Sequence, residues 1–200
     1  MKKTLMVLFC LSMGLTVFAL PISLRGGVNF GKFYEGSSSN GKAFQYQSGL
    51  IGGQGLLIGA NLLLEYYKYD EIPGGIMIPE YRVVSKDKHQ YAYGGSVTIG
   101  LGKQAGPHLV YRFKKVRTYY KVVLEDFIND PGDYWTESDF REQPAYDIAV
   151  GFHGKWPGTN IFMVGEFTII SKIWDVERNI ITIGLGYEMN LGNMCKGMKK

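Results

Sequence analysis

The chain has 200 residues and a formal net charge of +4, and two of those charges, Lys2 and Lys3, precede an apolar run over 5–19 that ends on Val17-Phe18-Ala19. This layout predicts a secretory signal peptide over residues 1–19, cleaved after Ala19, and the remaining charge of +2 excludes the electrostatic footprint of a nucleic-acid binder. Beyond the leader Cys195 is the only cysteine, which excludes an intramolecular disulfide framework, and no run reaches ~18 apolar residues, which excludes a transmembrane helix.

Period-two alternation bounded by turn residues predicts eight strands. In chain order they are Leu24–Tyr34, Tyr46–Leu57, Asn61–Tyr69, Gln90–Leu101, His108–Tyr120, Ala145–Gly154, Ile161–Ile173 and Asn179–Leu191. The connections alternate in length. Glu35–Gln45, Asp70–His89 and Lys121–Pro144 read as long polar loops, whereas the turn around Ile58-Gly59-Ala60 and the segments Gly102–Pro107 and Lys155–Asn160 are short. Long loops at one end and tight turns at the other are the asymmetry of a membrane barrel.

The last strand carries the clearest signal. Ile181, Ile183, Leu185, Tyr187, Met189 and Leu191 alternate with Thr182, Gly184, Gly186, Glu188 and Asn190. One face is wholly apolar and the other is glycine and polar groups, as expected where lipid lies on one side and a narrow polar interior on the other. The same rule turns outward Val28 and Phe30, Leu62, Leu64 and Tyr66, Tyr91, Tyr93, Val97, Ile99 and Leu101, Leu109, Tyr111 and Phe113, Ile148, Val150 and Phe152, and Met163, Phe167 and Ile169. It assigns no face to the second strand. Tyr66, Tyr67, Tyr69, Tyr91, Tyr93, Tyr119, Tyr120, Tyr146 and Trp174 fall towards the loop end, as an aromatic girdle does, and Trp156 falls at the other.

Inward positions hold Arg25, Asn29, Glu65, Arg112, Lys114, His153, Glu166 and Glu188. Charges in a narrow barrel are costly unless paired and hydrogen-bonded, so an interior ion network is expected. Arg25 with Glu188 would bridge the seam between first and last strands, and Glu65, Arg112 and Glu166 would meet across the lumen. Eight strands leave an interior that side chains fill, which argues against an aqueous pore. For catalysis, His153 has Glu166 on the adjacent strand, but Ser96 lies two strands away; no nucleophile, metal or phosphate-loop pattern emerges, and no cofactor is expected. The stretch 112–121 is basic and aromatic, and Lys114, Lys115, Arg117 and Lys121 form a candidate rim for lipid headgroups. The loop that follows is acidic, through Glu125, Asp126, Asp130, Asp133, Glu137, Asp139 and Glu142.

The whole run from Leu20 to Leu191, and above all Thr182-Ile183-Gly184-Leu185-Gly186-Tyr187-Glu188-Met189-Asn190-Leu191, resembles the small eight-stranded outer-membrane barrels: the OmpA transmembrane domain, OmpX and opacity-protein group. The resemblance implies an all-β, antiparallel up-and-down transmembrane barrel over residues 20–191, followed by a short basic tail, 192–200. It implies an outer-membrane location, lipids as partners, and a final strand read by the barrel-assembly machinery. The leading functional expectation is a non-enzymatic surface barrel serving envelope integrity or adhesion, with an extracellular partner at its long loops. The alternative is a soluble exported barrel of lipocalin type holding a hydrophobic ligand, which would turn the apolar set inwards.

Overall fold

A computed structural model describes residues 22–36, 39–53, 55–70, 81–126, 128–173 and 176–191. The predicted signal peptide, the basic tail with Cys195, and Trp174 lie outside the described residues. The strands are β1 (Ile22–Glu35), β2 (Ser39–Gly52), β3 (Leu56–Tyr69), β4 (Tyr81–Leu101), β5 (Ala105–Asp126), β6 (Tyr134–Lys155), β7 (Ile161–Ile173) and β8 (Val176–Asn190). Each pairs antiparallel with its sequence neighbour, and β1 pairs with β8, closing an eight-stranded barrel.

The register fixes the barrel's pitch. One row of paired residues runs Ile22, Gly52, Ile58, Ile99, Leu109, Val150, Phe167, Ile181 and returns to β1 at Lys32, ten residues beyond its start. A stagger of this kind requires strands inclined about 35–45° to the barrel axis. Residues paired in one row therefore sit at progressively greater height from β1 round to β8.

The apolar face looks outward on every strand. Phe30, Leu62, Ile99, Phe113, Phe152 and Ile183 are all exposed, while their chain neighbours Asn29, Leu63, Arg112, His153 and Thr182 are buried. This is the arrangement of a membrane-spanning barrel and the reverse of a lipocalin's. In β7 the alternation breaks once: Thr168 and Ser171 point in, both Ile169 and Ile170 point out, and the register with β6 shifts there. The extra residue is a bulge, and it keeps two isoleucines on the lipid side.

Three expectations are corrected. The second strand is β2 over Ser39–Gly52, so much of the expected loop 35–45 is strand, and the connection lies between Gly52 and Leu56 rather than around Ile58–Ala60, which is part of β3. Gly53 adopts φ 130°, which the turn needs and L side chains rarely adopt. Leu50, Ile51, Leu56 and Leu57 read as one apolar run because they belong to both strands of one hairpin. β2 turns Lys42, Phe44, Tyr46 and Leu50 outward and Ala43, Gln45 and Ile51 inward.

The two longest expected loops are also largely strand. β4, β5 and β6 have 21, 22 and 22 residues against 13–15 elsewhere, and their upper parts pair from Tyr81↔Asp126 to Glu125↔Tyr134. They form a three-stranded sheet standing above the barrel. On β6 the residues from Tyr134 to Arg141 are exposed on both faces but for half-buried Trp135, so period-two hydrophobicity, the signal by which strands are read, vanishes there. Finally, Tyr67 and Tyr69 leave the outer girdle and point inward, where they meet Phe33 edge-to-face at centroid distances of 5.5 and 4.8 Å.

Candidate functional site

The lumen holds its charges in tiers. Near the short turns, Arg25 and Glu188 are register partners across the β1–β8 seam; Arg25 Nη2 donates to Glu188 Oε2 at 2.6 Å and Nε to the same oxygen at 3.2 Å. Lys155 Nζ lies 3.7 Å from the other carboxylate oxygen, and the Arg25 guanidinium stacks 4.3 Å over the Phe162 ring. Gly186 is an inward position whose missing side chain leaves room for that ring.

Above this, Glu166 takes two donors: Arg112, and His108, whose Nε2 lies 3.2 Å away. Sequence reading placed His108 at a strand end without a role; here it is buried in β5, over the inward-facing Gly151. His153, the histidine expected beside Glu166, instead donates Nε2–H to the Gly102 carbonyl at 2.9 Å. Ser96 is held by Asn61 at 3.3 Å. No Ser–His–carboxylate set is brought together by these residues.

The next tier centres on Lys114. Its Nζ donates to Glu65 Oε2 at 2.6 Å and to Asp147, with all three side chains fully buried. Glu65 also accepts from Gln45 Nε2 and Tyr67 Oη, each at 2.8 Å, and Asp147 accepts from Ser171 Oγ at 2.6 Å. Lys114 thus sits wholly inside and is not part of a headgroup rim. Glu65 is bonded to Lys114, not to Arg112 as the expected triad had it. The reason is pitch: a count of residues from the turn end ignores the climb from strand to strand, which changes the partners that meet across the lumen.

At the loop end Arg178 fills the top of the lumen. It donates to Glu35 at 2.5 Å, Tyr69 Oη at 2.7 Å and Gln90 at 2.8 Å, and it lies 4.8 and 4.9 Å over the rings of Phe33 and Tyr67. Arg178, Glu35, Asp147 and His108, with Lys88 and Lys155 at the margins, are charged or titratable network members that sequence reading missed. Asp147 carried a usable signal, since it is an acid at an inward position among Ala145, Ile148 and Ala149. Glu35 and Arg178 fell in segments assigned to connections.

Packing leaves a lumenal cavity of about 40 Å³ in the lower half, lined by Gln47, Asn61, His108, His153, Phe162 and Glu166 among others. That volume suits about three waters.

Outside, Lys115 and Arg117 are exposed, as the rim expectation had them, but both are paired with Glu142 on β6. Lys121 is exposed and register-paired with Ser138, well up the protruding sheet. Glu142 lies above the apolar rows, and hydrogen bonds from Lys115 and then Arg117 hold its carboxyl below the usual range. Beside it Tyr66, His89, Tyr91, Tyr119 and Phe140 form a continuous ring cluster. No group of acidic, His or Cys side chains suited to a metal occurs among the described residues.

Fold and lumen together define a class: a small, closed, membrane-spanning β-barrel whose interior is filled by ion pairs. No family model matches the chain, and no curated protein matches it. Among solved structures it is similar to Neisserial surface protein A, with 14% identity, a TM-score of 0.48, and coverage of 83% of this chain and 96% of that one. It is similar to the attachment invasion locus protein Ail of Yersinia pestis in complex with the heparin analogue sucrose octasulfate, at 13% identity, TM-score 0.46, and 85% and 99% coverage. A major outer membrane protein from Thermus thermophilus gives 12% identity, TM-score 0.49, and 83% and 99% coverage.

Proposed function

We propose that the protein is a non-enzymatic surface barrel of the outer membrane that passes no solute and presents its protruding β4–β6 sheet to an extracellular partner. The observation that carries this reading is the pairing of two faces: a lipid-facing apolar belt on every strand, around a lumen closed by Arg25–Glu188, Arg112–Glu166, Lys114–Glu65 and Arg178–Glu35. A lumen so filled supports a structural wall rather than a channel. The sheet above it offers long, polar, ring-studded strands whose outer edges on β4 and β6 pair with no strand among the described residues, the kind of edge that binds other chains. In this reading the last strand, 182–191, is what the barrel-assembly machinery engages, and the remaining partners are membrane lipids.

Cell fractionation combined with gel electrophoresis of unboiled and boiled samples tests it. The expected result is a band in the outer-membrane fraction whose mobility changes on heating. A soluble periplasmic protein with no heat-dependent shift contradicts it.

A further inference from the structure

Lys32, Lys42 and Lys68 are successive register partners on β1, β2 and β3, and all three are exposed on the outer face. The row directly below them is Phe30, Phe44 and Tyr66, the last apolar row shared by these strands, and above it the outer face carries one further ring, Tyr34 on β1. The lysines therefore stand where the hydrocarbon ends and headgroups begin. Like charges directly opposite one another on a sheet destabilise it. Four other cations at this end have carboxylate partners: Arg178 and Lys88 on Glu35, and Lys115 and Arg117 on Glu142; Lys86 and Lys121 stand singly on the protruding strands, away from any lysine partner in register. Among the described residues, Lys32, Lys42 and Lys68 have none. Among the described residues, Asp70, just past the end of β3 and two residues above Lys68, is an exposed acid near this face.

The geometry points to a binding site for a phosphorylated lipid headgroup on the outer face of β1–β3, with Lys32, Lys42 and Lys68 as its cationic ladder. Strands about 4.8 Å apart put the first and third lysines about 10 Å from each other, a span that suits a headgroup carrying two phosphates better than one. The stems lie along the apolar rows while the ammonium groups reach the interface. The same row continues through His89, Tyr119 and Phe140, with His89 stacked on Tyr119 at 5.2 Å, so ring faces flank the ladder on the β4 side. This site rests on the membrane-spanning reading and adds a ligand class to it. It differs from the rim expected on β5, where Lys115 and Arg117 share Glu142 and Lys121 stands well up the protruding sheet.

The test measures lipid binding to the purified protein in zwitterionic micelles by native mass spectrometry. The probes are lipid A bearing two phosphates, the same lipid dephosphorylated, phosphatidylglycerol and inorganic phosphate. Each interfacial lysine contributes roughly fivefold, so the Lys32→Ser/Lys42→Ser/Lys68→Ser variant is expected to lose about 100-fold in affinity for the two-phosphate lipid. The all-arginine variant at the three positions should retain binding, and Lys86→Ser/Lys103→Ser, which removes charge elsewhere, should change it less than twofold. Dephosphorylation should cost as much as the triple substitution, and phosphatidylglycerol should bind more weakly. Equal binding by the triple serine variant overturns the site, as does inorganic phosphate binding as tightly as the lipid. A chain that shows no heat-dependent band and does not float with vesicles defeats the membrane reading itself; a well-inserted barrel without lipid preference defeats only the ladder.

Discussion

Arg25 and Glu188 lie opposite each other in register where the first strand meets the last, joined through two donors to one carboxylate oxygen. The pair ties the first and last strands together at the point where closure occurs. Arg25→Met should lower stability by about 2 kcal/mol, less than a fully buried pair would lose, because Lys155 remains near Glu188. Arg25→Met/Glu188→Leu should recover most of that loss. Urea unfolding in lipid vesicles reads both, and single variants as stable as wild type would contradict a role for the pair in closure.

Lys114 has a larger effect, since its removal leaves Glu65 and Asp147 buried without their shared cation. Lys114→Met should cost about 3–5 kcal/mol. Lys114→Met/Glu65→Gln/Asp147→Asn should restore the urea midpoint to within about 1 kcal/mol, because neutral amides still hydrogen-bond Gln45, Tyr67 and Ser171. A similar deficit in single and triple variants would show that packing, not charge, is what matters.

Two glycines separate the faces of the wall. A Cβ at Gly186 would overlap the Phe162 ring and the Gly26 carbonyl, whereas one at Gly165, on the lipid side, would meet nothing. Gly186→Ala should therefore cost about 1–3 kcal/mol and Gly165→Ala less than about 0.5 kcal/mol. The heat-induced mobility transition ranks the two, and the reverse order would put the faces the wrong way round.

Above the membrane, Glu142 is shared by Lys115 and Arg117. Its carboxyl is held below the ordinary range by those donors, so their contribution is present at neutral pH and is lost as pH falls below the usual carboxylate value through the folded one. Lowering the pH should free both cations. Binding of anionic vesicles to the protruding sheet should rise at acid pH in wild type and already be high at neutral pH in Glu142→Gln. Vesicle co-sedimentation across pH 7 to 3 reads this, and an unchanged profile in the variant would contradict it.

The faces of the wall were legible in sequence because period two is set by the backbone, and lipid outside against polar groups inside writes that period strongly. Ile181 to Met189 shows it residue by residue. The β2–β3 hairpin was not legible, because Leu50, Ile51, Leu56 and Leu57 straddle the turn and read as one run. The sheet above the membrane was hidden for the opposite reason: with water on both sides of 134–144, nothing alternates. Interior charge positions were visible, but their partners depend on the ten-residue stagger, which emerges only once all eight pairings are in place. Hence Arg25 and Glu188, direct register neighbours, were matched from sequence, whereas Glu65 went to Lys114 instead of Arg112.

All of this depends on the greasy side of the wall meeting hydrocarbon. Spin labels placed one at a time at Leu62, Leu63 and Tyr134, in a chain with Cys195→Ser and reconstituted in vesicles, report on it through collision with oxygen, which partitions into lipid, and a nickel chelate, which does not. The expected pattern is oxygen-dominated relaxation at Leu62, little access to either reagent at Leu63, and chelate-dominated relaxation at Tyr134. Chelate access at Leu62 equal to that at Tyr134 would refute the lipid-facing assignment.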